Sequence, residues 1–255
     1  ACGDVNRNVL ASANPHRSPL HAAAGDLARG ISEHLLPKTN AYAEIWLDAP
    51  AVDPGAEIEP IYGPLYLPRK FKIGIAVPPD NDVDVYAQDL SFIAVEDNGR
   101  LAGWNVLAGG GMGMTHGEKA TYPRLADLLG FCTPEQAIAV AEQVVCVQRD
   151  FGDRTNRRHA RLKYTIDDRG VAWFKAELES RLGFALAPAR AFTFDHNSDA
   201  FGWQQGPDGR WHYTLFVENG RIADRGARRL RTGLAAIARV HRGIFALTNN
   251  QNVTI

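Results

Sequence analysis

Cysteine and methionine are scarce in this 255-residue sequence, three and two respectively, and neither charge sign dominates, with 28 Lys+Arg against 29 Asp+Glu. Cys2, Cys132 and Cys146 are far apart and odd in number, which excludes a disulfide framework and a four-thiolate metal site. The near-zero net charge removes any global field toward nucleic acid or an anionic membrane, so an anion site has to come from local clustering. No apolar run approaches the roughly 20 residues of a membrane span, and no charged-then-apolar signal opens the chain, so the cytoplasm is the expected location. Low-complexity tracts and internal repeats are also missing. So are Gly-x-Ser-x-Gly, HExxH and Cys/His zinc spacings, which leaves His34, His159, His212 and His241 as surface or packed residues and no metal ligands.

What is present is enough apolar residue, 45%, for one large core or two ordinary ones. The sequence opens on Ala1 and closes inside the β-branched stretch Val253-Thr254-Ile255, and reads as a fragment. Leu20, Ala23, Leu27, Ile31 and Leu35 between Pro19 and Pro37 mark an amphipathic helix. Residues 43–48 read as a strand, and 49–64 as an exposed, Pro- and acid-rich loop. A strand follows over 71–77, then a hairpin of 90–96 with 100–107 across Asn98-Gly99. Thr133, Pro134 and Gln136 form the cap of a helix over 137–149, and a helix over 170–182 stops at Gly183. Beyond Pro188 the pattern is a strand over 190–195, a hairpin strand over 211–218 turning at Asn219-Gly220, a helix over 228–241 and a strand near 244–248. Without strict βαβ alternation the class is α+β with mixed or antiparallel sheets, divided into 1–187 and 188–255.

Five constellations can carry chemistry. In Leu67 to Lys72, strand alternation puts Lys70 and Lys72 on one side; two ammonium groups there are either a solvated edge or a grip on a small dianion that can also pass protons. Gly3 to Asn8 is a polar turn holding Arg7. Arg154, Arg157, Arg158, His159, Arg161 and Lys163 make a basic segment whose helical spacing gathers Arg154, Arg158 and Arg161; it is a solvated face or a nucleic-acid patch, and the latter lacks interleaved aromatics. Gly109 to Gly113 is neither a P-loop nor a dinucleotide fingerprint and licenses only close backbone approach. Asn249 to Asn252 offers four amides that could orient carboxylates or form an ordinary turn.

The segments CGDVNRNVL, LPRKFKI, GGGMG-TH, QRDFGDRTNRRHARLKY, LFVENGRI and NQN, in this order, resemble the siroheme-dependent sulfite reductases. The likeness is strongest to the hemoprotein subunit of the NADPH-dependent enzyme and to the ferredoxin-dependent enzyme. It implies a sulfite/nitrite reductase module followed by a ferredoxin-like half-domain with an exposed apolar face. It also implies siroheme bridged to a [4Fe-4S] cluster, and six-electron reduction of sulfite to sulfide in sulfate assimilation. By the same resemblance Arg7, Lys70 and Lys72 meet substrate; Arg69, Arg161 and Gln251 bind siroheme, with Asn252, Arg154 and Arg157 in the same wall. Arg161 stands where many relatives carry lysine. The expected partners are sulfite and an electron donor, either an NADPH-linked flavoprotein or ferredoxin, with no nucleic acid and no membrane. The cluster's cysteines are not in this sequence, so the 255 residues alone are expected to be inactive. Siroheme nitrite reductase and a cofactor-free anion-binding scaffold are the competing readings.

Overall fold

The computed structural model describes residues 3–39 and 59–255. A five-stranded sheet in the order β1-β2-β3-β4-β5 forms its centre. Strands β1 (Asn6–Ala11), β2 (Phe71–Ala76) and β3 (Leu90–Asp97) run parallel, while β4 (Arg100–Ala108) and β5 (Asp127–Cys132) are antiparallel additions. The fold class is α+β, as the patterning implied.

Side-chain alternation in β2 separates two layers. Phe71, Ile73 and Ile75, with Phe92, Trp104 and Val106, face helices α1 (Pro19–His34), α2 (Ala137–Phe151) and α4 (Val171–Leu182) in the main core. The opposite face carries a smaller cluster of Ala76, Val83, Val85, Ile93 and Leu107, against which Phe192 and Phe194 pack. Helix α1 begins where Ser18 Oγ accepts the His21 N–H, with Pro19 at the first position, and buries Leu20, Ala24, Ala28 and Ile31. The capping box of Thr133 and Gln136 forms, preceding α2 by a short 3₁₀ turn. Asn98 and Gly99 both have positive φ, 52° and 79°, as a two-residue hairpin turn demands.

Several expectations need correction. Residues 6–8 are not a turn but the start of β1, because the strand's partner is β2, 65 residues away in Asn6↔Phe71, and long-range pairing overrides the polar composition. Strand β5 had no clear alternation. The basic segment is not one helix: Asp153 Oδ1 accepts the Thr155 and Asn156 N–H groups in a turn, and α3 (Leu162–Arg169) begins only after Arg161. Part of the loop thought exposed is buried, since Tyr62 Oη donates to the Leu35 carbonyl at 2.7 Å and Glu59 is 2% exposed. The strand expected over 43–48 lies outside the described residues.

The chain then crosses the sheet's second face without forming the expected strand over 190–195; Arg190 N–H donates to Asn105 Oδ1 at 2.9 Å and Asn105 Nδ2 donates back to the Arg190 carbonyl. A second sheet comprises β6 (Gly202–Gln205), β7 (Trp211–Leu215), β10 (Ala246–Leu247) and β11 (Val253–Thr254), in the order β10-β11-β7-β6. Between them lie the small hairpin β8 (Asp224–Arg225) and β9 (Arg228–Arg229) and helix α5 (Leu230–Val240). The turn at Asn219-Gly220 exists, with φ of 52° and 65°, but β7 pairs with β6 and β11 instead of folding back across it.

Candidate functional site

The N-terminal ends of β1 and β2 lie side by side because Leu67 N–H donates to the Asp4 carbonyl at 2.9 Å and Phe71 N–H to the Val5 carbonyl at 3.0 Å. This pairing sets Arg69 and Lys70 at one wall of an open cleft of about 460 Å³. The facing wall is the turn before α3 and its first residues, contributing Arg157, Arg158, Arg161 and Tyr164. Gly113, Met114, Thr115 and Thr121 complete the lining. Five cationic side chains thus share one cavity.

Each cation is held differently. Arg157 forms a fork-like pair with Asp4, at 2.9 and 3.2 Å, and Arg158 meets Glu118 at 2.8 Å. Arg161 donates from Nε and Nη2 to Asp89 Oδ1 at 3.1 and 2.9 Å. Among the described residues no carboxylate lies within ion-pair distance of Arg69, Lys70 or Lys72. Lys70 is consequently pushed below the ordinary lysine range, first by partial burial and then by Lys72, Arg161, Arg7 and Arg69. Arg69 is lowered by burial and by Arg157, Arg7 and Arg161, against the opposing charge of Asp4. Arg7 itself donates from Nε to the Gly3 carbonyl at 2.8 Å, within electrostatic reach of both. Lys72 lies in β2 opposite Asn8, on the face turned away from the helices, and its N–H donates to Asp89 Oδ2 at 3.0 Å.

The glycine-rich stretch forms the neighbouring loop, and its composition follows from crowding. A Cβ on Gly110 would stand 2.3 Å from the Tyr86 carbonyl oxygen, and one on Gly111 would stand 2.9 Å from Arg161 Nη2. Gly109 has φ of 88° as well. Lys163, 0% exposed, fastens this loop: its Nζ donates to the carbonyls of Gly111 at 3.0 Å, Gly113 at 2.9 Å and Tyr122, and sits 4.9 Å from the Tyr164 ring centroid. Burial lowers its pKa.

Of the nine residues singled out from sequence, Arg69, Lys70, Arg157 and Arg161 line the cleft, and Arg7 and Lys72 lie in its field. Arg154 lies beside it with its guanidinium directed at the carbonyls of Leu65, Tyr66 and Arg149. Gln251 and Asn252 are elsewhere: the neighbouring Asn249 Nδ2 donates to the carbonyl of Ala11, at the far end of β1, and Asn252 bridges Asp199 and the Val217 N–H. Sequence reasoning missed Asp89, and it placed Arg158 and Lys163 in the basic segment without giving either a role at the site. The signal for Asp89 was a lone carboxylate abutting the apolar run that opens β3, a place where only a paired charge is buried.

The cleft's donors suit a ligand bearing several carboxylates, because guanidinium groups bind them through paired N–H bonds. An iron–sulfur cluster is not served in the same way. Cys132 is pushed up to about 12 by burial, Cys146 is also raised by burial, and no group of three or more His, Cys, Asp or Glu could hold a metal among the described residues.

Comparison with known proteins gives a consistent picture. The chain is 62% identical over 255 residues to the sulfite reductase [NADPH] hemoprotein beta-component of Myxococcus xanthus, and 60% identical over 257 residues to that of Anoxybacillus flavithermus. In each case all of this chain is covered but only 45% of the relative, so the chain spans about half the length of the curated proteins it matches. The solved structure of Mycobacterium tuberculosis NirA protein superimposes on all of this chain and 41% of its own, with a TM-score of 0.74 and 26% identity. Residues 28–186, more than half of the sequence, match the nitrite and sulphite reductase 4Fe-4S domain, and the chain belongs to that family.

Proposed function

We propose that this chain supplies the sulfite- and siroheme-contacting part of an assimilatory sulfite reductase hemoprotein, residues 1–187 forming the reductase module and 188–255 a ferredoxin-like half. The observation that carries the proposal is the convergence of Arg69, Lys70, Arg157, Arg158 and Arg161 on one cleft, with Arg7 and Lys72 in range. Relatives over the whole chain carry the name sulfite reductase.

The overall conversion takes sulfite, seven protons and six electrons to hydrosulfide and three waters, so the site must compensate a dianion and deliver protons at one place. Lys70, Lys72 and Arg7 bind the anion in this reading. Lys70, with its proton held less tightly than usual, is suited to give that proton up to a departing oxygen. Arg69, Arg157 and Arg161 would hold carboxylates of siroheme, which when bound would supply redox-active iron at the cleft. The thiolates for the [4Fe-4S] cluster come from residues outside this sequence, because three cysteines cannot make four ligands. Electrons arrive from an NADPH-linked flavoprotein or from ferredoxin. A cytoplasmic setting fits the two buried, unpaired thiols, Cys132 and Cys146, and no described helix is long and apolar enough to cross a membrane.

An absorption spectrum of the full-length parent protein tests this: siroheme bands that shift on adding sulfite are expected. Lys70→Ala and Lys72→Ala should each keep the bands and cut sulfite reduction by roughly 100-fold, the scale of a lost proton donor. A colourless parent, or lysine variants as active as the parent, would refute the proposal.

A further inference from the structure

We propose that Asp89 is a positioning residue that fixes the distance between the siroheme-binding wall and the substrate-binding strand, an inference that rests on the function proposed above. Four hydrogen bonds to three partners carry it. Asp89 Oδ1 accepts both Nε and Nη2 of Arg161, at 3.1 and 2.9 Å; Oδ2 accepts the Lys72 N–H at 3.0 Å; and the backbone carbonyl accepts the Gly109 N–H at 2.9 Å. One residue therefore ties together a cleft-lining guanidinium, the strand that bears Lys72, and the first turn of the glycine loop.

The carboxylate is 0% exposed, and a buried charge persists only where it is paired and hydrogen-bonded. Burial raises the Asp89 pKa, while Arg161 and Lys72 act in the opposite direction. The pairing also answers a problem of like charges. Arg161 weighs as a repelling charge on Arg69, Lys70 and Lys163, so without a counter-charge beneath it the guanidinium would swing away from them toward solvent. Asp89 holds it inward from outside the cleft lining, leaving Arg161 Nη1 unused by Asp89.

Asparagine at this position keeps the size and removes the charge, and its amide nitrogen or oxygen can satisfy only one of the two partners as they stand, because both are donors. Asp89→Asn in the full-length holoprotein should raise the sulfite dissociation constant, read from the shift of the siroheme bands, by about tenfold. It should also change the visible circular dichroism of the bound siroheme. Arg161→Gln should do the same, and the double variant should be no weaker than the worse single one, since both break one connection. A merely structural Asp89 would lower the unfolding midpoint and leave sulfite affinity and dichroism within twofold of the parent, and that result overturns the inference. Should Asp89→Asn fail to fold, Arg161→Gln decides alone, and parent-like sulfite affinity there overturns it too. A parent without siroheme bands sinks the proposed function; a parent with them and an indifferent Asp89→Asn sinks this inference only.

Discussion

Lys163 has its ammonium group buried with no carboxylate in ion-pair contact among the described residues; the carbonyls of Gly111, Gly113 and Tyr122 accept from it, and Asp89 and Asp167 offset its charge from farther off. Lys163→Met removes the donor but preserves most of the volume. All three carbonyls lose this donor; Gly111 O keeps the Arg124 N–H, and the loss at Gly113 O and Tyr122 O costs about 1–3 kcal/mol each. The unfolding midpoint of the chain should fall by roughly 5–15 °C, and a melting curve that matches the parent would show the loop to be held otherwise. Two other buried groups set a pH dependence. Asp82 is pushed from 3.8 up to about 6, chiefly by burial, so its contribution is favourable in acid and is lost as pH rises from about 4 to about 6. His21 is pushed from 6.5 down to about 4, again chiefly by burial, so its contribution is present above 6.5 and is lost as pH falls toward 4. Each shift is worth about 3 kcal/mol, and over the shared window they oppose each other. Asp82→Asn should therefore stabilise the chain at neutral pH and unmask an acid-labile slope between pH 6.5 and 4, measured by urea unfolding across pH. A variant whose profile runs parallel to the parent's over that range would refute the assignment. None of this was visible in sequence, because the burial of single polar residues depends on contacts such as those of Asp82 with Ser12 and Asp199 across long stretches of chain.

Helices α2 and α5 were both legible from sequence, yet only one is anchored. Helix α2 buries eight residues, among them Val140, Val144 and Val147, whereas α5 buries none. Since helical stability in proteins comes mostly from tertiary packing of an apolar face, α5 should open far more readily. Hydrogen exchange followed by mass spectrometry should find its amides exchanging at least 100-fold faster than those of α2; equal protection would contradict the packing. The elements that sequence located well, α1, α2, α4 and the β3–β4 hairpin, carry local signals: Ser18-Pro19, the Thr133/Gln136 box, Gly183 and Asn98-Gly99. Those it misplaced or missed, β1, β5 and the break before α3, are set by partners distant in sequence or by a side-chain turn at Asp153. The same division holds for the site. Lys70 and Arg69 stood out as a local cationic run, while Asp89 becomes meaningful only when the β3 end meets Arg161, 72 residues on.

Across the whole molecule, apolar exposure is uneven. Among the large hydrophobic side chains that remain exposed, Trp203 is 68% exposed, Phe216 63%, Val240 75%, Ile244 70% and Leu247 78%, all beyond residue 200. A cavity of about 520 Å³ between α5 and the second sheet, with Leu215, Phe216, Leu234 and Ile237 in its lining, adds to this face. Soluble monomers rarely leave contiguous apolar patches of this kind open, and association is the usual way to cover one. The 255 residues taken alone should therefore self-associate, with light scattering giving an apparent mass that climbs with concentration. Val240→Glu with Leu247→Glu should suppress the climb, because charges at the most exposed positions oppose apolar contact without entering the core. High salt separates the causes: contacts driven by apolar burial persist or strengthen, whereas contacts through the arginines of β9 would weaken as their charge is screened. A mass that stays monomeric at all concentrations would refute self-association through this face.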